Sequence, residues 1–192
     1  MYHTWMRYFT PSPAHHRLGL VCLGVGLQHG TLPTVGPRTL DHYVAVVIGA
    51  GSGWFRGADG HDVPVTAPAL IWLTPGVPHH YGPDPATGWD ESFVDFAGPA
   101  AATYTELGYI EPDRPVVPLS DTVGARAAVG RIARAARRGN PLLEVETASR
   151  GFLLGGSPRG PPVAPVDVAP GPLVAQLYGP QDHIALRELD RP

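Results

Sequence analysis

The density of glycine and proline is the feature that most limits how this chain can fold. The sequence has 24 glycines and 23 prolines, which together make up about a quarter of its 192 residues. Proline removes a backbone donor from a helix and glycine weakens a helix interior, so this density favours short strands joined by turns. The length suffices for one well-buried domain. The sequence therefore predicts a mainly β domain rather than a helical bundle.

Short runs typical of β-strands fill the chain from residue 18 to residue 120. The run at 42–49 is rich in β-branched residues. The Asp59-Gly60 pair within the run at 54–65 is a strong signal for a hairpin turn. Strands this short, separated by regular turns, predict a small β-barrel or sandwich. The predicted strands lie at 42–49, 54–65, 69–73, 89–96 and 115–119.

A helical period replaces the β pattern further along the chain. Residues 99–107 predict a short helix and residues 122–138 a longer one, each ended by a glycine. An Asn-Pro pair then opens a predicted helix over 141–154. The last two helices form a hairpin that either packs on the β domain or offers an apolar face to a partner. The apolar positions of this hairpin are Val123, Ala127, Ile132, Ala135, Leu142, Val145 and Phe152.

Four segments within the β region and its flank occur in a recognisable order. They read RTLDHYVAVVIGAGSGWF, LIWLTPGVPHHYGPDP, GWDESFVDFAGPA and ELGYIEPDRPVVPLSD. Their order and spacing resemble the N-terminal sensing domain of the AraC family of bacterial transcription regulators. The resemblance implies a cupin-like double-stranded β-helix, followed by a helical hairpin that dimerises through the apolar positions named above. The sequence departs from the family pattern at Thr74, where a proline is usual, and at Pro68-Ala69, where Gly-Asp is usual.

The resemblance divides the chain into four parts. We expect an N-terminal arm over 1–17, a ligand-binding domain over 18–120, a helical dimerisation hairpin over 121–155 and a disordered or aberrant Pro/Gly-rich tail over 156–192. Family members continue with two helix-turn-helix units, and no stretch after residue 155 predicts one. We therefore expect a sensor without its DNA reader and no direct DNA contact. A natural short form and a frameshifted gene both remain open.

Two adjacent histidines, His79 and His80, first suggest a metal site. Enzymes of the cupin type supply His-x-His and a Glu from one hairpin, whereas the first hairpin here offers only His61-Asp62. Neighbouring side chains on a strand point to opposite faces, so the adjacent pair does not readily bind one ion. The sequence predicts no metal, no cofactor and no catalytic residue. A metal-dependent isomerase or dioxygenase of the cupin type is the enzyme alternative, and a non-functional truncated remnant is another.

A ligand pocket accounts for this region better. A sugar-like ligand needs an apolar ring to stack on and a few polar partners that fix its orientation. By the resemblance, Tyr81 matches the pocket tyrosine of sugar-binding members, and Glu91 stands where a histidine is frequent. Ordinary core packing is the competing interpretation for each aromatic residue, and Glu91 and Asp95 also suit a strand at a pocket rim with solvated acids. The predicted ligand-binding residues are Arg38, His79, His80, Tyr81, Trp89, Glu91 and Phe93.

Charge and hydropathy narrow the class of partner. The net charge is −3, so no bulk basic field attracts nucleic acid or an anionic membrane. The longest apolar run, residues 18–27, is too short to span a bilayer, and the N-terminus lacks a signal-peptide pattern. We therefore predict a cytoplasmic homodimer that is not an enzyme. Its predicted function is to sense a small polar molecule, with a sugar as the class that the resemblance implies.

Overall fold

A computed structural model of the protein describes residues 3–17, 19–120 and 122–138. Strands dominate this part of the chain and a long helix follows them, which confirms the predicted mainly β class. The predicted helix over 141–154 and the predicted tail lie outside the described residues. In chain order the elements are β1 (His3–Tyr8), α1 (Pro13–His16), β2 (Val21–Gly30), β3 (Val35–Arg38), β4 (Tyr43–Arg56), β5 (Asp62–Thr66), β6 (Ala69–Leu73), β7 (His79–Pro83), β8 (Trp89–Ala97), α2 (Pro99–Glu106), β9 (Val116–Pro118) and α3 (Thr122–Arg137).

Strand β4 belongs to two sheets and joins them into one barrel. Its first half pairs with β8 and β6 in a first sheet of order β1-β2-β8-β4-β6-β9. Its second half pairs with β5 and β7 in a second sheet. Strand β3 pairs with β7 and so also belongs to the second sheet. Gly51 lies at the change of sheet with φ +86°, and a Cβ there would lie 2.1 Å from the Gly88 carbonyl oxygen. Only glycine fits this conformation and this close approach without displacing backbone.

Two apolar clusters lie on the two sides of the first sheet. The barrel interior combines Val46 and Phe93 of the first sheet with Tyr81 of the second. The outer side combines Val47 and Phe96 with side chains of α2 and α3. The first half of β4 is covered on both sides, so its sequence is a nearly continuous apolar run rather than an alternating one.

Helix α3 packs on the outer side of the first sheet, and its burial fixes which residues a partner could reach. Ile132 was among the positions predicted to face a partner helix, but it is 0% exposed and packs within its own chain. Val123 is 78% exposed and Ala127 is also exposed, while Ala135 is half-buried. Leu142, Val145 and Phe152 lie outside the described residues. The side chains that α3 buries against the barrel are Ala128, Val129, Ile132, Ala133 and Ala136.

The segment predicted as an N-terminal arm begins with a paired strand. Strand β1 runs antiparallel to β2 over six residue pairs, from His3 opposite His29 to Tyr8 opposite Gly24. Trp5 packs against the outer cluster of the first sheet. The segment therefore extends the sheet by one edge strand and carries side chains to both of its sides. No helix within the described ranges is long and apolar enough to cross a bilayer.

Candidate ligand site inside the barrel

The inner face of β8 brings aromatic and acidic side chains into the barrel. Trp89, Glu91, Phe93 and Asp95 alternate along this face, as the sequence pattern predicts, and all four are buried. Glu91 is 4% exposed and Asp95 is 5% exposed, so the interpretation of these acids as solvated groups at a pocket rim is wrong. The reason is the position of β8, which lies between β2 and β4 in the middle of the first sheet.

Two glycines of β2 make room for these side chains. Gly26 lies opposite Phe93, and Gly24 lies opposite Asp95. A Cβ on Gly26 would lie 2.2 Å from the Phe93 ring, and one on Gly24 would lie 2.3 Å from Oδ2 of Asp95. The side chains of β8 therefore lie across β2, a close approach that larger residues would prevent.

Strand β1 adds a tyrosine that no sequence pattern indicated. Tyr8 lies opposite Gly24, and its ring centroid is 6.5 Å from that of Phe93. The residue is 63% exposed, and its ring covers Gly24 from the solvent side. The segment 1–17 shows no strand period, so its sequence carries no signal for this contact.

The opposite wall of the barrel carries His79, Arg38 and Tyr81. The Arg38 Nε donates to His79 Nε2 at 3.2 Å, which leaves Nδ1 of His79 to donate to the Val77 carbonyl oxygen, also at 3.2 Å. Burial lowers the pKa of His79, so the imidazole is neutral and serves as an acceptor that positions Arg38. The Tyr81 ring lies 6.2 Å from the rings of both His79 and Trp89.

His80 does not join the other predicted site residues. Its ring packs edge-on against Trp54 at 4.7 Å, on the outer side of the second sheet. Strand alternation explains the separation, because His79 and Tyr81 occupy the inward positions on either side of it. The structure thus brings together six of the seven predicted residues and directs His80 away from them.

Burial of the acids controls the electrostatics of the interior. Burial raises the pKa of Glu91 to about 7, although the indole of Trp89, the amide of Gln28 and Arg38 all favour its charged form. Gln28 Nε2 donates to Glu91 Oε1 at 3.1 Å. Burial, reinforced by Glu91, also raises the pKa of Tyr81 well above its usual value. The site therefore holds acidic groups that gain from a partner able to stabilise negative charge.

Asp95 and Trp89 are short of partners. The cationic group nearest to the Asp95 carboxylate is Nε2 of His42 at 3.7 Å, and Asp95 is the main cause of the raised pKa of His42. Nε1 of Trp89 is buried and makes no hydrogen bond of ordinary geometry within the part of the chain that the structure describes. Buried polar groups without partners are unusual in a finished core and typical of a site that receives a ligand.

Two cavities reach residues of this site. One, of about 390 Å³, lies at the end of the barrel near the β4–β5 hairpin and is lined by Phe55, Leu73 and His79 among others. The other, of about 620 Å³, lies between α3 and the first sheet, and its lining extends from Arg126 and Arg137 to Glu91. Both volumes are in the range that small-molecule sites occupy.

Comparison with known sequences identifies the family. The family model described as the AraC-like ligand binding domain matches residues 25–150, about two thirds of the chain. The chain belongs to this family. The match spans β4, β7 and β8, and so includes every residue of the inner wall except Tyr8 and Gly24. No curated protein sequence matches the chain at a significant level.

Solved structures similar to this AraC-like domain include several cupins. YhaK from Escherichia coli is 16% identical with a TM-score of 0.41, over 50% of this chain and 45% of that protein. A cupin 2 conserved barrel domain protein from Leptotrichia buccalis is 12% identical with a TM-score of 0.37, over 50% of this chain and 41% of that one. The AraC-like domain thus spans less than half the length of either protein.

The donor set of the AraC-like domain differs from that of a metal centre. Within the described ranges, no three side chains of His, Cys, Asp or Glu lie together as ligands of one ion. His79 uses both ring nitrogens in hydrogen bonds to Arg38 and Val77, and His80 points out of the barrel. The residues that converge in the interior suit noncovalent binding of a small molecule.

Proposed function

We propose that this chain senses a small polar molecule, which binds in the barrel interior against Tyr81, Glu91 and Phe93. The family supports a small-molecule ligand in general terms. The single observation that supports this site is the convergence of buried polar groups with incomplete partners, above all Asp95 and the indole of Trp89. A sugar remains the ligand class that the family resemblance suggests.

The sensing signal has a physical route through β1. Tyr8 lies over the inner wall, and its strand is an edge strand that pairs with β2 and contacts α3 through Arg7 and Trp5. A ligand that contacts Tyr8 would therefore change the stability of this edge strand and of its contacts with α3. We propose that ligand binding changes the position or stability of β1, and that this change alters a cytoplasmic dimer. The interface of that dimer includes Val123 and Ala127 on the exposed face of α3.

Replacing Tyr81 with Phe tests the barrel as the binding site. The change removes only the buried hydroxyl, so a ligand that bonds to it should bind about three- to tenfold more weakly while the fold is retained. A thermal-shift screen of sugars, polyols and amino sugars should find a compound that raises the unfolding midpoint of the wild type, and titration then gives the two dissociation constants.

Tyr109 supplies the matched control for this substitution. It is exposed and packs against Tyr104 beside α2, away from the barrel interior, so Tyr109→Phe should leave ligand affinity unchanged. Equal affinities for the wild type and the Tyr81→Phe variant, together with no effect of replacing Glu91, would contradict a site in the barrel.

A further inference from the structure

We propose that the ligand of this barrel is a small organic cation, held by the carboxylates of Glu91 and Asp95 and by the aromatic rings around them. The inference rests on the proposed function, because it names the chemical class that the same interior would bind. It follows from four observations on the inner wall: two buried acids, their shortage of donors, the rings beside them and the placement of the cationic side chains.

Both carboxylates act on the same part of the barrel interior, because each of them, in addition to burial, raises the pKa of Tyr8 and of Tyr81. Glu91 and Asp95 lie four positions apart on the inner face of β8, with the Phe93 ring between them, and each is more than nine-tenths buried. Glu91 accepts a side-chain hydrogen bond from Gln28, and the Trp89 indole and Arg38 also favour its charged form, but burial outweighs all three. Within the described ranges, the cationic group closest to the Asp95 carboxylate is Nε2 of His42, at 3.7 Å. Carboxylates buried with so few donors are costly unless a cation joins them.

Aromatic rings surround these carboxylates on several strands. Phe93 and Tyr8 lie 6.5 Å apart on one side, and Tyr81 and Trp89 lie 6.2 Å apart on the other. The face of an aromatic ring attracts an ammonium or guanidinium group, and the attraction increases when the site is desolvated. Rings beside carboxylates therefore suit an amine better than they suit an anion.

The cationic side chains of the protein compensate this negative charge only in part. Arg38 favours the charged form of Glu91 but is exposed, with its Nε bonded to His79, and His42 approaches Asp95 no closer than 3.7 Å. A neutral sugar can donate hydroxyls to the carboxylates but does not neutralise them. An ammonium group donates to a carboxylate and also offsets its buried charge, which favours the amine over a neutral donor.

The ionisation of Glu91 gives the cation a measurable signature. The titratable and charged groups that act on the site are Tyr8 on β1, Arg38 on β3, Tyr81 on β7 and Asp95 on β8, and His42 adjoins Asp95. A bound cation stabilises the charged form of Glu91, so its binding near pH 7 should release protons. A neutral ligand that donates a hydroxyl to Glu91 has a smaller effect, because it adds no opposite charge.

Matched pairs of probes test the proposal on the full chain. Each pair has similar shapes with and without positive charge: choline and 3,3-dimethyl-1-butanol, putrescine and 1,4-butanediol. Isothermal titration at about pH 8, where Glu91 is ionised, should give an affinity at least about tenfold higher for the charged member of one or more pairs. Equal or tighter binding of the neutral members would overturn the proposal, as would no binding of any charged member at about 10 mM.

Substitution of the acids shows whether they are responsible. In a Glu91→Gln, Asp95→Asn double variant the preference for the charged member should fall about tenfold or more, while the neutral member keeps its affinity within about twofold. Glu106→Gln, an exposed change on α2, is the control. A preference that survives in the double variant would overturn the proposal. If the double variant does not fold, proton release by the wild type is measured in buffers of different ionisation enthalpy. The amine is expected to release more protons than its neutral counterpart, and equal release by the two would overturn the proposal.

These results separate the cation from the site itself. Neutral compounds that bind and that weaken in the Tyr81→Phe variant would leave the barrel as the site and overturn only the cation. Compounds whose binding does not respond to Tyr81, Glu91 or Asp95 would overturn both the cation and the proposed function.

Discussion

Replacing Glu91 with Gln is expected to stabilise the ligand-free protein, and the gain should grow as the pH rises from about 5 to about 8. Burial raises the pKa of Glu91 from its ordinary value of 4.5 to about 7 in the folded state. Stability from the protonated carboxyl is therefore fully present below pH 4.5 and is lost as the pH rises through 7. Gln cannot ionise, so the variant does not lose this contribution.

The size of this effect is about 3 kcal/mol, because a shift of one pKa unit corresponds to about 1.4 kcal/mol. Urea denaturation of both proteins at a series of pH values measures it as a change in the difference between their free energies of unfolding. The exposed Glu106→Gln change is expected to give a difference within about 0.5 kcal/mol at every pH. A difference between wild type and Glu91→Gln that stays constant with pH would show that Glu91 is not buried as described.

Replacing Ile132 with Ala is expected to lower the free energy of unfolding by about 3 kcal/mol. Ile132 is fully buried where α3 packs on the outer side of the first sheet, so the change leaves a cavity in the core of its own chain. Val123 lies on the same helix and is exposed, so Val123→Ala should change the same quantity by less than about 0.5 kcal/mol. Urea denaturation compares the two variants with the wild type.

The same pair of positions separates packing from dimerisation. Val123→Glu should weaken the proposed dimer, measured by light scattering over a range of concentrations, without lowering the stability of the dissociated chain. Ile132→Ala should lower the stability at concentrations where the chain is monomeric. Similar small effects of Ile132→Ala and Val123→Ala would contradict the docking of α3 on the barrel.

Local patterns predicted the strands β4, β5, β6, β8 and β9 and the helices α2 and α3, but not β1, β2, β3 or β7, and not the buried face of α3. The predicted run at 69–73 coincides with β6, and alternation correctly assigns the inner face of β8. In α3 alanines occur on several sides of the helix, so the apolar pattern gives little contrast between faces. The predicted face therefore mixed Ile132, which the chain buries, with Val123, which it exposes.

Pairing between strands that are distant in the chain determines two features of the site that local sequence patterns did not predict. Whether Glu91 and Asp95 are solvated depends on the place of β8 between β2 and β4, which no local pattern encodes. Tyr8 reaches the site through the register of β1 on β2, and its segment has no strand period. Tyr81 and Arg38, in contrast, were identified from the order of motifs, and the structure places both with His79 on one wall.

A crystal structure of the chain with the tightest compound from the matched pairs tests the central claim most directly. We predict that the compound lies in the barrel interior, in contact with Tyr81, Phe93 and Glu91, with its charged nitrogen nearest to the carboxylates. A compound bound instead in the cavity between α3 and the first sheet, beside Arg126 and Arg137, with the barrel interior unchanged, would contradict the claim.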